Sequence, residues 1–376
     1  MKKNQEKSHL SHKTVFVWLI ALIGTVLLVS CEAQSLVGHW RDDGADTVFQ
    51  SLPLTSVASP PATEPPTVTD PPVTTVTPPV TTTPVTTPPL PTAYAPLTGL
   101  PASPSAAVSR PLAFCVKTAS GSTIAEADLV IEAPTEASSP RLLLLKSDGG
   151  SLFSKITPSS IRPYMAALSH DFFGLSVYRG TSDIGRESAS LLYETVDLSS
   201  IPVKEGDPAA LENAIASAGH QTLISGAIAL PYSLAEIGHT VTPTEAPSTY
   251  VSIPYSGTAT TAFTYDALAG VYTMRSGAAL TEGDTTLPVF KNLLILSFDS
   301  TKRVGRNGVE LTLDTELGGT GYYVTEGSVM SLLWRRDPMT SRLYITDKDG
   351  VPITVNRGKT YLGMTTYDCL DRLILN

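Results

Sequence analysis

Cysteine is nearly absent from this chain: 376 residues contain Cys31, Cys115 and Cys369 and no others. No CxxC pair occurs, so nothing argues for a structural zinc site. Cys115 and Cys369 leave two readings, one long-range disulfide or two isolated, partly buried thiols; a pair of cysteines does not make a disulfide scaffold. Histidine is scarce too. Beyond residue 30 there are His39, His170, His220 and His239, and none stands at HExxH or another short metal spacing. There is no GxSxG elbow and no GxxxxGK[ST] phosphate loop, so motifs support neither an α/β-hydrolase serine nor a nucleotide-binding P-loop. Neither a cofactor nor a metal is expected. Charge is also low, at 16% of residues.

The low charge traces to two segments outside any folded domain. "TVFVWLIALIGTVLLVS" (14–30) carries no charge and follows the basic lead "MKKNQEKSHLSHK", the layout of an export signal. Its end, Leu28-Val29-Ser30-Cys31, resembles the lipobox of bacterial lipoproteins, which implies cleavage before Cys31 and a diacylglycerol thioether on its sulfur. The alternatives are an uncleaved anchor, somewhat short of the roughly 20 residues that cross a bilayer comfortably, or a signal cut elsewhere. Each places the bulk of the chain outside the cytoplasm. Without residues 1–30 the chain holds 22 Lys and Arg against 34 Asp and Glu, a net charge of −12. That makes electrostatic adhesion to an anionic membrane or to nucleic acid a poor expectation, and leaves lipid as the anchor. The expected location is the extracytoplasmic face of the cell membrane.

Residues 31–95 form a membrane-proximal segment and a Thr/Pro-rich spacer, "PPATEPPTVTDPPVTTVTPPVTTTPVTTPPLPTAYAP". Proline removes helix donors and little here can be buried, so an extended arm with polyproline character is expected. At roughly 3.1 Å per residue it reaches on the order of 100 Å, enough to cross a thick wall, which favours a monoderm envelope.

Folded sequence begins near 96. Strand-length apolar runs occupy 111–117, 127–133, 141–147 and 174–180, with a short helix at 162–172. A better-marked helix follows in "DPAALENAIASAG", with Asp207 as N-cap, Pro208 at N1 and Gly219 as terminator. Residues 238–260 read as loop-rich. Beyond them come strand-length runs at 291–298, 308–314, 321–327, 329–335, 341–347, 351–356 and 359–365, joined by short turns at Glu326-Gly327 and Asp347-Lys348-Asp349-Gly350. In "GVELTL", Val309, Leu311 and Leu313 alternate with polar neighbours as one sheet face requires. "DKDG" resembles half a calcium loop, but the remaining ligands are missing, so it reads as a hairpin turn. The expectation is an α+β protein: a mixed sheet with helices in an N-terminal module, 96–240, and a mainly antiparallel β module, 241–376.

Several stretches, in this order and spacing, carry a resemblance. They are "PLTGLP" (96–101), "SRPLAFCVK" (109–117), "EADLVIEA" (126–133), "SSIRPYMAALSHDFFG" (159–174), "SVYRGTSD" (176–183), "GVYTMRSG" (270–277), "FKNLLIL" (290–296), "LGGTGYYVTEGSVMSLLWRR" (317–336) and "YITDKDGVPITVNRGKTYLGM" (344–364). Together they resemble the DUF3048, or YerB-like, family of bacterial lipoproteins over most of 96–370. The resemblance implies an exported lipoprotein with two modules and brings no settled activity. The chain departs from the family pattern in lacking an arginine before Arg162-Pro163-Tyr164, and histidines near Tyr178-Arg179 and after Arg275, which weakens an enzymatic reading.

The densest polar set is Arg162, Tyr164, His170, Asp171, Tyr178, Arg179, Asp183, Arg186 and Glu187. A guanidinium fork grips carboxylate or phosphate, so Arg162 and Arg179 are ligand-binding candidates that would converge on an anionic group, with Tyr164, His170, Asp171, Tyr178 and Asp183 around them. The plainer alternative is a structural network, with His170 a helix-end cation and Asp183–Arg186 a local pair. A second set, Tyr272, Arg275, Asn292, Tyr322, Tyr323, Trp334 and Lys359, could present aromatics on a β face, although alternation places Trp334 in a core. The leading functional expectation is a non-catalytic envelope module binding a wall polymer, a peptide or an exported protein. The alternative is a hydrolase or transferase acting on an anionic wall component through Asp171 or Asp183 with His170.

Overall fold

Two-residue alternation within unbroken apolar runs organises the molecule. In "LAFCV", Leu112, Phe114 and Val116 enter one buried cluster while Ala113 and Cys115 enter another. "LLLL" divides in the same way, Leu142 and Leu144 to one side and Leu143 and Leu145 to the other. A strand apolar on both faces belongs in a sheet covered on both sides.

The computed structural model describes residues 93–376, apart from 138, 181–192, 200, 202–205, 225–227, 282–284 and 306–307. All described residues fall in one compact unit. The strands, in chain order, are β1 (Leu112–Val116), β2 (Leu129–Ala133), β3 (Arg141–Lys146), β4 (Leu175–Tyr178), β5 (Thr195–Asp197), β6 (Ser233–Leu234), β7 (Ala246–Pro247), β8 (Tyr250–Pro254), β9 (Thr260–Asp266), β10 (Val271–Ser276), β11 (Val289–Phe290), β12 (Asn292–Phe298), β13 (Ser300–Gly305), β14 (Gly308–Leu313), β15 (Gly319–Thr325), β16 (Ser328–Arg336), β17 (Leu343–Thr346), β18 (Thr354–Val355), β19 (Thr360–Thr366) and β20 (Ile374–Leu375). The helices are α1 (Pro104–Val108), α2 (Gly121–Glu126), α3 (Gly150–Phe153), α4 (Pro163–Asp171) and α5 (Pro208–Ser217).

One 11-stranded sheet runs β17-β16-β15-β12-β19-β2-β3-β1-β4-β5, with β7 pairing off β16. The strands before residue 240 mix with helices, and those after it are mainly antiparallel. The two regions interlock because β19 lies between β12 and β2, parallel to both. The other parallel pairs in this sheet are β1 with β4 and β4 with β5. A second sheet, β11-β10-β9-β8-β20, covers one face together with α5, and α4 covers the other.

The helix signals hold at both marked sites. Asp207 accepts from the Ala209 and Ala210 amides, Pro208 opens α5, and Gly219 follows its end at φ +78°. Pro163 opens α4, most of whose side chains are buried. Glu326 (φ +52°) and Gly327 (φ +70°) make the two-residue hairpin between β15 and β16. In the 347–350 turn, Asp347 Oδ1 accepts from the Asp349 and Val351 amides, so that carboxylate oxygen serves a hairpin turn.

Three expectations change. The region 238–260 contains β7 and β8, hidden by Pro247 and Pro254, both of which end strands where no ladder donor is lost. Val309 is half exposed in the β13–β14 hairpin, although Leu311 and Leu313 are buried as alternation requires. Cys115 and Cys369 are both free and buried, which removes the disulfide reading.

Candidate functional site

The parallel pairing of β1 and β4 brings their carboxyl ends side by side, and open α/β sheets build ligand crevices outside such ends. Lys117 directly follows β1 and Arg179 directly follows β4. The loop 155–160 is pinned between them: the Ser159 amide donates to Cys115 O at 2.7 Å, and the Arg179 amide donates to Ser159 O at 3.2 Å. The result is a 690 Å³ cleft lined by Lys117, Lys155, Arg179 and seven hydroxyl residues, Thr118, Ser120, Thr123, Thr157, Ser159, Ser160 and Thr281. Among the described residues no carboxylate lines it.

The charges differ in availability. Lys155 pairs with Glu126, and Lys117 has no ion-pair partner among the described residues. Arg179 Nη1 donates to Leu198 O at 3.0 Å, while its buried Nε has no partner among the described residues. Behind the floor, Arg141 Nη1 donates to Ser159 Oγ at 3.0 Å and Arg162 Nη1 donates to Ser160 Oγ at 3.5 Å. Beneath them Cys115 donates to Ser160 O at 3.2 Å, and burial pushes its thiol up to about 11.

The sequence-predicted residues separate. Arg162 does not line the cleft beside Arg179; its guanidinium is buried against Glu136, in contact through Nε and Nη2, and reaches the cleft only through Ser160. The Glu136 carboxyl is held below its usual range by that contact, against a desolvation that raises it. Tyr164 is buried and donates to Pro134 O at 2.6 Å, and Tyr178 is a core residue. Asp171 is buried, ion-paired to Arg336 and accepting from the Leu343 amide, so it fastens α4 to the β16–β17 hairpin. Burial pushes Asp171 up to about 6 despite that arginine.

His170 faces a different cleft, of 440 Å³, with Arg110, His220, Glu194 and Arg342. Burial, with Arg342 and Arg110 nearby, lowers its pKa. His170 and His220 stand where α4 and α5 end, joined there by Arg110 and Arg342. Asp183, Arg186, Glu187, Cys31 and the spacer lie outside the described residues. No group of three or more potential metal ligands occurs among the described residues, and no described helix is long and apolar enough to cross a membrane.

The second predicted set is mostly interior. Tyr272, Asn292, Tyr323 and Trp334 are buried. Asn292 donates to Asn356 O and Thr360 Oγ1 and accepts from Tyr323 at 2.8 Å, closing a network between β12, β15 and β19. Tyr322 is half-buried, Arg275 is exposed, and Lys359 donates to Ala125 O. Sequence reasoning missed Lys117, Ser159, Ser160 and Arg141. Isolated serines and lysines carry no pattern; only the side-by-side strand ends assemble them.

Residues 251–362 match the family model described as protein of unknown function (DUF3048), C-terminal domain. The crystal structure of YerB protein from Bacillus subtilis superposes with a TM-score of 0.57 at 21% identity, over 75% of this chain and 99% of that one. No curated protein matches the chain. The C-terminal domain match and the YerB-like fold together support assignment of the chain to the DUF3048/YerB-like family.

Proposed function

We propose that this protein is an extracytoplasmic lipoprotein, anchored through acyl chains on Cys31, that binds an anionic envelope component without transforming it. The observation that carries the binding reading is the cleft beside Arg179: cations and hydroxyls at the carboxyl ends of two parallel strands, with no carboxylate in the lining among the described residues. In a chain of net charge −9, such a local reversal of sign marks where an anion is favoured. A wall polymer, an acidic peptide or an acidic patch on an exported protein all present that chemistry. The hydrolase alternative has less support. It needs a base within hydrogen-bond reach of a reacting proton, and Asp171 is engaged by Arg336 away from the cleft.

The test is cosedimentation of the full-length, detergent-solubilised protein with isolated envelope polymer. Arg179→Ala and Lys117→Ala should each reduce the bound fraction, more so at low ionic strength. Undiminished binding by both variants would defeat the reading. Fatty-acid labelling lost in Cys31→Ser tests the anchor separately.

A further inference from the structure

We infer that the cleft beside Arg179 takes a phosphate-bearing group, a phosphomonoester or phosphodiester, held by the hydroxyls of Ser159 and Ser160 acting as oriented donors. This rests on the anion-binding reading above and adds the chemical class.

The orientation comes from the arginines behind the floor. A serine hydroxyl has one hydrogen and two lone pairs. Where a guanidinium donates to the oxygen from below, the hydrogen must point elsewhere. Arg141 does this to Ser159 at 3.0 Å, and Arg162 does it to Ser160 more weakly, at 3.5 Å. Among the described residues the Ser160 hydrogen has no acceptor. That of Ser159 has only long contacts, to Cys115 O at 3.4 Å and Cys115 Sγ at 3.9 Å. Both hydroxyls are therefore available as donors in a cleft they line. Glu136 keeps Arg162 beside Ser160, which biases that hydroxyl toward donating into the cleft.

The shape of the donor set separates phosphate from carboxylate. A planar carboxylate is best held by the planar fork of an arginine. Arg179 has one Nη1 hydrogen committed to Leu198 O and its Nε buried, which closes its side-on fork and leaves the outer Nη hydrogens to meet a ligand. Lys117 from the end of β1, the serines from the 155–160 loop and Arg179 from the end of β4 approach from three chain segments. Donors converging from several directions match the oxygens of a tetrahedral centre.

Isothermal titration calorimetry on the full-length protein in detergent tests this, with inorganic phosphate and poly(glycerol phosphate) as probes and polyglutamate as the carboxylate control. Wild type should prefer the phosphate polymer. Ser159→Ala/Ser160→Ala should weaken phosphate binding about tenfold or more, as expected for hydrogen bonds to a charged group, and leave polyglutamate unchanged. Ser160→Thr, which keeps the hydroxyl, should retain affinity where Ser160→Ala loses it, so the inference stays testable if the double variant misfolds. Equal wild-type affinity for the two polymers, or unchanged phosphate affinity in both alanine variants, would overturn the phosphate assignment. Such a result, with Arg179→Ala still weakening both polymers, leaves the anion reading standing; no binding of either polymer by wild type defeats both.

Discussion

Glu132 offers a sharp physical test of how the two sheets meet. It lies on β2, fully buried, with its carboxylate facing β9 and β19. Thr261 donates to Oε2 at 2.7 Å, Tyr361 donates to the same oxygen, and Tyr255 sits 3.0 Å from the Tyr361 hydroxyl. No cation is among these partners. Burial is the dominant influence and pushes the carboxyl from 4.5 to about 7, with the hydroxyl and Ala279 amide contacts opposing it. Because the folded pKa is raised, the proton binds more tightly in the folded state. The associated stability is fully present below about pH 4.5 and is lost as pH rises through about 7. The size is about 3 kcal/mol. Glu132→Gln is neutral throughout and imitates the protonated form. Denaturant unfolding of wild type and Glu132→Gln at pH 5, 6, 7 and 8 gives the difference curve, in which other titrating groups cancel. The glutamine variant should lead by only about 1 kcal/mol at pH 5 and by about 3 kcal/mol at pH 8. A difference that does not change with pH would refute the account of a carboxylate buried without a counter-charge.

Asp171→Ala should cost about 3–5 kcal/mol by stranding the buried Arg336 charge, while Asp171→Asn costs less and leaves anion binding intact; a fully stable alanine variant would remove the proposed α4 fastening. Gly321→Ala should destabilise by about 3 kcal/mol, because a Cβ there would stand 2.2 Å from Ile295 O in the neighbouring strand; denaturation midpoints decide this. Cys115 and Cys369 should react with a maleimide only after unfolding and without reductant, and failure to label until reductant is added would contradict two free thiols.

Much of the fold was legible because local chemistry repeats. The strand-length apolar runs at 111–117 and 141–147, the Asp207-Pro208 helix start and the Glu326-Gly327 turn each carry their own signal. The parallel insertion of β19 between β12 and β2 was not legible, since nothing local to 360–366 names partners so distant in sequence. The candidate site divides on the same line. Arg179 stood out as an arginine at a strand end beside a glycine, and it does line the cleft. Arg162 and Asp171 stood out for the same residue-level reasons, yet each meets an opposite charge brought from elsewhere, Glu136 and Arg336. Spacing along the chain cannot separate a guanidinium awaiting a ligand from one already satisfied. Ser159 and Ser160 lacked any signal, because their donor sense is biased by arginines on other segments.

The most direct measurement is a crystal structure of the protein soaked with glycerol phosphate. The account predicts a phosphoryl group between the ends of β1 and β4, within hydrogen-bond distance of Ser159, Ser160 and Arg179. A phosphoryl group seated instead in the His170 cleft, or found nowhere on the molecule at saturating ligand, would contradict it.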